Sequence, residues 1–317
     1  MNRNTKWLFC VATLSVAATP AVAQVPAPCS AIGYITKTFD SGFAERGKNF
    51  DEAGTYPPGY LWYRWNWFNT KPNRRLSGLR SDGSISASGG LDGSLVSAAR
   101  SSNSSGFVGT AFGGGACVEV TLRFDPSPRS SSEPHPSFWA MSKEHLDGSG
   151  ADQWPGKEPG FTHFVEWDIL EYFKVQPPAF LSGWIDWYGR YIPHGELKLD
   201  EQVCHRPFCK RANTFKPYPR AFPPTLDWSN WQTIVGVWTS SSVDRPGCIQ
   251  TFLNGAPIAP QHCWTSLTST RDRMEEFLDF SLIDRHHMVL VIGSGKDPIF
   301  VRSVRVYQQS SRDNLSN

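Results

Sequence analysis

After residue 23 the sequence has no apolar run long enough to cross a bilayer without a charge or a proline in it, which argues against a helical membrane protein. It also lacks an excess of either charge: 31 Lys and Arg stand against 29 Asp and Glu. A balanced chain gives no electrostatic case for nucleic acid or for an anionic membrane. Helical patterning is scarce, the one candidate running from Thr270 to about Asp284 behind a Ser269-x-x-Asp272 cap. No internal repeat and no long linker divides the chain. Gly293-Ser294-Gly295 is not the G-x-S-x-G that a serine nucleophile elbow needs.

Only the N-terminus carries an uninterrupted apolar stretch. Basic residues Arg3 and Lys6, an apolar run from Trp7 to about Ala18, and Ala21-Val22-Ala23 before Gln24 have the layout of a secretory leader. The expectation is a cleaved signal peptide at 1–23, then one soluble, exported domain at 24–317. Cys10 would leave with the leader. The remaining Cys29, Cys117, Cys204, Cys209, Cys248 and Cys263 are even in number, as three disulfides in an oxidising compartment require. Six cysteines allow 15 connectivities. Cys204 and Cys209 can close a small loop. Cys248 and Cys263 flank Asn254-Gly255, a type I′ hairpin signal, so they can face each other across paired strands. That leaves Cys29 with Cys117. A zinc knuckle at Cys204-His205 and Cys209 is the alternative.

Gly (27) and Pro (24) are abundant and separate short strand-like runs. These include Ser84–Ala87, Cys117–Phe124, Thr233–Trp238, Met288–Ile292 and Phe300–Tyr307. Arg100–Gly106 and Asp125–Pro136 read as loops. The pattern predicts an all-β fold, a jelly-roll sandwich of two curved antiparallel sheets.

The most informative segment is Glu166-Trp167-Asp168-Ile169-Leu170-Glu171, with His163-Phe164-Val165 before it and Tyr172-Phe173 after it. Carboxylates beside so much apolar surface are costly unless paired or used. Read as a strand, Val165, Trp167 and Ile169 alternate with Glu166 and Asp168, giving an apolar face and an acidic one. A regular strand would next turn Leu170 outward and Glu171 into the core. One β-bulge near Ile169-Leu170 corrects the phase and returns Glu171 to the face of Glu166 and Asp168. The competing readings are a solvated strand face with scattered acids, and a metal site, for which three acids are few.

This motif and its neighbours resemble glycoside hydrolase family 16, the laminarinase, lichenase, agarase and carrageenase group with a concanavalin-like jelly roll. E-x-D-x-x-E is matched at Glu166, Asp168 and Glu171. In family order, Phe39–Phe43 resembles F-x-x-x-F, Asp82–Ile85 resembles D-G-x-L, and Gly115–Val120 resembles G-x-x-E-x-R. Ser137–Met141 resembles P-A-F-W, Asn230–Trp238 and Phe252–Gly255 resemble F-H-x-Y-x-x-x-W and Y-x-D-G-x, and Val304–Gln308 resembles the D-Y-V-R-V-Y-Q end. Four departures stand out. Trp167 occupies a position usually held by a small aliphatic residue, Val120 replaces an arginine, and His135-Pro136 replaces W-P. The run Ser182–Trp187 lacks the usual histidines. The resemblance implies that these strands line the cleft, so the departures bear on substrate.

The resemblance further implies a secreted, endo-acting, retaining hydrolase of a β-linked glucan or galactan. Glu166 would be the nucleophile and Glu171 the acid/base. Asp168 would hydrogen-bond the nucleophile and keep the acid protonated by like-charge crowding. Thirteen tryptophans, one of them (Trp7) in the leader, suit sugar binding. Trp139, Trp184, Trp187 and His163 are the substrate-binding candidates, and the Trp62–Phe68 cluster, in which Trp65 and Trp67 would share a face, is a further one. Core packing competes for every Trp. Trp184 and Trp187 have opposite strand parity, so one at most faces the cleft. His286-His287 reads as the start of a strand at the core edge rather than as metal ligands. No cofactor is expected, with room for a structural calcium ion, and the expected partner of a monomeric chain is a polysaccharide. The other classes are a lectin-like jelly roll, which needs no acid triad, and a polysaccharide lyase, for which no convergent Tyr, His, Arg or Gln set stands out.

Overall fold

The computed structural model describes residues 24–44, 49–103, 106–126, 135–147, 153, 159–173, 179–191, 203–204, 212–214, 220–221, 226–241, 245–258, 260–264, 286–309 and 314–316. The proposed leader, Cys209 and the candidate helix at 270–284 lie outside the described residues. Those described form an all-β, jelly-roll sandwich, built on two nine-stranded sheets.

One sheet runs in the order Ala256–Pro257, Gly247–Leu253, Gln232–Thr239, Gly115–Phe124, Ile299–Gln308, Ile85–Ala87 and Ser77–Leu79, with Thr36–Gly42 added to Ile299–Gln308 and His262–Trp264 to Gly247–Leu253. Its central strands alternate between buried and outward residues. Ala116, Val118, Val120, Leu122 and Phe124 turn inward, whereas Glu119 and Arg123 turn outward. A register shift between Val301 and Ser303 keeps Val304 and Val306 inward in the facing strand. Asn254 and Gly255 both have positive φ, 49° and 85°, the type I′ signature expected of Asn-Gly.

The second sheet carries the acids. Its order is Val203–Cys204, Ala179–Tyr191, Phe161–Phe173, Ser137–Ser142, Met288–Ile292, Leu95–Val96 and Tyr63–Arg64, and Ala212–Thr214 and Arg220–Ala221 also pair with Ala179–Tyr191. All described pairings in it are antiparallel except the short one between Tyr191 and Cys204. The main core lies between the sheets and includes Phe138, Ala140, Val165, Trp167, Ile169, Leu170, Leu290 and Ile292 from the acid sheet. A second apolar cluster sits on the opposite face of that sheet: Tyr63, Trp65, Trp67, Trp139, Met141, Phe164, Val289 and Val291 are among its members.

Two of the three predicted disulfides fall within the described residues, and both are present. Cys248 and Cys263 are cross-strand partners with α-carbons 4.1 Å apart. Cys29 and Cys117 are 5.5 Å apart and fasten the N-terminal turn to the central strand of the first sheet. Among the described residues no helix is long and apolar enough to cross a membrane. His286 and His287 immediately precede the buried strand Met288–Ile292, and the His287 ring nitrogen lies 2.7 Å from Glu144, as the strand-start reading expects.

Candidate active site

The strand Phe161–Phe173 makes the turn of phase that its sequence demands. Asp168 pairs with Trp139 on one side and Gly183 on the other. The next paired positions are Leu170 with Phe138, and Glu171 with Ser137 and Leu181. Three residues of this strand therefore span what two span on each neighbour. The bulge sends Ile169 and Leu170 both into the intersheet core, each fully buried. Glu171 comes back to the face of Glu166 and Asp168.

The three acids occupy successive same-face rows opposite Met141, Trp139 and Ser137. Those rows span about 13 Å at the usual strand rise, so the two long Glu side chains must lean toward each other to act on one bond.

The face behind them explains a residue that looks out of place in the motif. Trp167 is 1% exposed and points into the intersheet core, 6.3 Å from the Trp238 ring in an edge-on arrangement. Opposite it lies Gly236, where an added Cβ would come within 2.9 Å of the Trp167 ring and 3.0 Å of Ile169. The facing sheet has given up a side chain to admit the indole. Val120, the second departure, is fully buried in the same core. An arginine there would be a buried charge. Its strand belongs to the sheet without the acids, so the expectation that it lines the cleft is corrected: Val120 bears on packing.

Electrostatics separate the three carboxyls. Asp168 is 2% exposed, and its pKa is held well above the usual carboxylate range, first by burial, then by the nearby Glu166 and Glu171 and by a hydrogen bond with Glu166. Glu166, the partner in that hydrogen bond, is 9% exposed. Glu171 is partly exposed, and burial pushes it up to about 7. This differs from the sequence reading, which assigned the raised pKa of Glu171 to like-charge crowding. Desolvation is the dominant cause instead.

The surroundings also differ from a bare solvent-facing strand. Trp139 lies in the same row as Asp168, as the sequence reading needs, but it is only 2% exposed, its indole N–H donates to the Gly293 carbonyl at 2.7 Å, and Trp65 covers it at 6.1 Å between ring centroids. It lies beneath a second aromatic layer, with no open ring face for a sugar. The strand Ala179–Tyr191 places the backbone of Trp184 opposite Trp167 and of Trp187 opposite Phe164, in rows of opposite facing. His163 pairs with Tyr188. The side chains of these three lie outside the described residues. Trp65 and Trp67 do share one cluster, but both are buried.

Two ring contacts near this strand are not foreseen in the sequence: His135 is read only as a departure from the family pattern, and His145 is not singled out. His135, two positions before Ser137, lies 5.4 Å from Phe173, two positions after Glu171. Strand parity extended one step from Ser137 and Glu171 would have found that pair. His145 stacks on Phe164 at 3.5 Å and 10°, and nothing in the sequence signals that contact. Among the described residues no group of three or more His, Cys, Asp or Glu is gathered as a metal site.

The backbone course of the chain is similar to that of several solved proteins. The LamA catalytic module from Zobellia galactanivorans matches at 16% identity over 87% of this chain and 99% of its own, with a TM-score of 0.43. An endo-1,3-β-glucanase from Streptomyces sioyaensis matches at 13% identity over 96% and 100%, at 0.41. A pseudo β-1,3-glucanase and immunostimulatory antigen of Mycobacterium tuberculosis matches at 14% identity over 86% and 98%, at 0.40. No family model matches the sequence, and no curated protein matches it.

Proposed function

We propose that this chain is a secreted, monomeric, endo-acting retaining glycoside hydrolase of a β-linked polysaccharide, a glucan or a galactan. The observation that carries the reading is the bulge at Ile169-Leu170, which puts three acids on one face. Unequal environments support it: burial and the neighbouring acids raise Asp168 well above the usual carboxylate range, and burial brings Glu171 up to about 7.

In this reading Glu171 protonates the departing glycosidic oxygen as the bond to the anomeric carbon breaks. The Glu166 carboxylate attacks that carbon from the other side and forms a glycosyl ester. Glu171, now ionised, takes a proton from water, which displaces Glu166 and restores it. Asp168 donates its hydrogen bond to Glu166 and so fixes the carboxylate's orientation. As the ester forms and breaks, the charge on Glu166 changes, and the shared proton follows it. Side-chain carboxyls supply both acid and nucleophile, so the scheme needs no cofactor.

The test is proton NMR of the first products released from a polysaccharide panel. A retained anomer is expected. An inverted anomer would remove Glu166 from the nucleophile role, an unsaturated sugar end would indicate a lyase, and an intact but bound polymer would indicate a lectin.

A further inference from the structure

Asp168 has two row neighbours, and only one of them brings a side chain. Gly183 lies opposite it on one flanking strand and Trp139 on the other. Residues directly opposed on antiparallel strands share a face, with Cβ atoms about 4.5–5.5 Å apart, so the indole and the carboxyl stand side by side. The flanking rows hold Met141 and Ile185 opposite Glu166, and Ser137 and Leu181 opposite Glu171. None of these four is ionisable, and the charges that act on Asp168 are those of Glu166 and Glu171.

The indole is fixed from two sides. Its N–H donates to the Gly293 carbonyl at 2.7 Å, and the Gly293 N–H donates to the Ser137 carbonyl at 2.9 Å. Trp65, fully buried, lies over it with the ring centroids 6.1 Å apart and the planes 30° apart. The carboxyl beside it is equally closed off. Asp168 is 2% exposed and hydrogen-bonds to Glu166, and its Oδ2 is buried with no hydrogen-bond partner among the described residues. A carboxyl oxygen left without a donor is costly, and packing that admitted one water would lower that cost. The site keeps its aromatic wall instead.

We propose that Trp139 is a positioning residue: its indole keeps water and competing donors away from the Asp168 carboxyl, and so confines Asp168 to the hydrogen bond with which it orients Glu166. This rests on the glycosidase reading and deepens it. Trp139 then serves turnover in place of the sugar contact that its sequence position suggests.

The test compares Trp139→Ala and Trp139→Phe with the wild type. Trp65→Leu, which uncovers the indole with less loss of core, decides the matter should Trp139→Ala fail to fold. Infrared spectroscopy reads Asp168 directly, as the protonated-carboxyl band that Asp168→Asn removes. At pH 7 that band is expected in the wild type and in Trp139→Phe, lost in Trp139→Ala and weakened in Trp65→Leu. On a polysaccharide Trp139→Ala should lose kcat with KM changed less than about twofold, and activity should decline about one pH unit or more below the wild-type limb. Adding Asp168→Asn to Trp139→Ala should return that limb to its wild-type place, because the group that titrates is gone. A higher KM with the limb and the band unmoved would make Trp139 a sugar contact and overturn the proposal, as would a wild type without the band. The two readings fail separately. If the wild type hydrolyses no polysaccharide while the band follows Trp139, the shielding stands and the glycosidase reading falls. If Glu166→Gln is inactive and the band ignores both Trp139→Ala and Trp65→Leu, the shielding falls and the glycosidase reading stands.

Discussion

The carboxylates of the two sheets have opposite fates. On the outer face of the first sheet Glu119 accepts from Arg305 at 2.6 Å, with Asp40 3.3 Å from the same guanidinium. Asp82 accepts from Ser84, which holds its pKa below the usual range, with Arg123 3.1 Å away. On the second sheet Asp168 and Glu171 have raised pKa values, and burial heads the causes for both. Among the described residues no ion pair joins either to a cation. Charges that serve packing are neutralised where they stand. Charges that would perform chemistry are desolvated, and their protons are held closer to neutral pH.

The comparison breaks most sharply at Glu166. Glu166→Gln should lower kcat/KM by about a thousandfold or more while circular dichroism and oligosaccharide binding persist. Asp168→Asn should lose less, since in the proposed mechanism Asp168 orients the carboxylate without forming a bond. Equal activity in the wild type and Glu166→Gln would place this acid with the structural ones.

Glu171 sharpens the contrast through pH. In the proposed mechanism it works protonated, so kcat/KM on a polysaccharide should decline as pH rises through about 7. Glu171→Gln should remove that limb and retain far more activity on an activated aryl glycoside, whose departure needs no proton. Added azide should rescue that variant and give a product of retained configuration. Stability gives an independent reading. The folded pKa exceeds the unfolded one, so the folded state binds the proton more tightly and loses stability as pH rises from about 4.5 through about 7. Glu171→Gln should therefore melt higher than wild type at pH 8, by up to about 2–3 kcal/mol, and near-equally at pH 4. No pH dependence in that difference would mean that the group is not desolvated.

Behind the acids, Gly236→Ala should cost about 1–3 kcal/mol by driving a methyl into Trp167 and Ile169. Combined with Trp167→Val it should cost much less than the sum, as a double-mutant cycle in urea would show. The smallest effect belongs to the outer face. Glu119→Gln should cost about 1 kcal/mol or less by chemical denaturation and leave the pH profile unmoved.

Much of this was legible in the chain. Alternation marked the Cys117–Phe124 run as a strand with one polar face, and the single phase error at Ile169-Leu170 located the bulge. Asn254-Gly255 marked the hairpin after which the chain returns Cys263 to Cys248, two residues out of the hairpin's own register. These succeed because strand periodicity and turn chemistry are local properties of the backbone. The exposure of Trp139 was not legible. Parity assigned its face, but the layer that buries it, Trp65, comes from a segment more than 70 positions away in sequence.

The sequence by itself thus determined which residues share a face, because that depends only on a period of two and one inserted residue. Tertiary structure decided what each face meets. It set Gly236 under Trp167 and laid Trp65 over Trp139. It also moved the cause of Glu171's raised pKa from neighbouring charge to burial. Desolvation is a property of everything packed around a group, and no local pattern of residues encodes it.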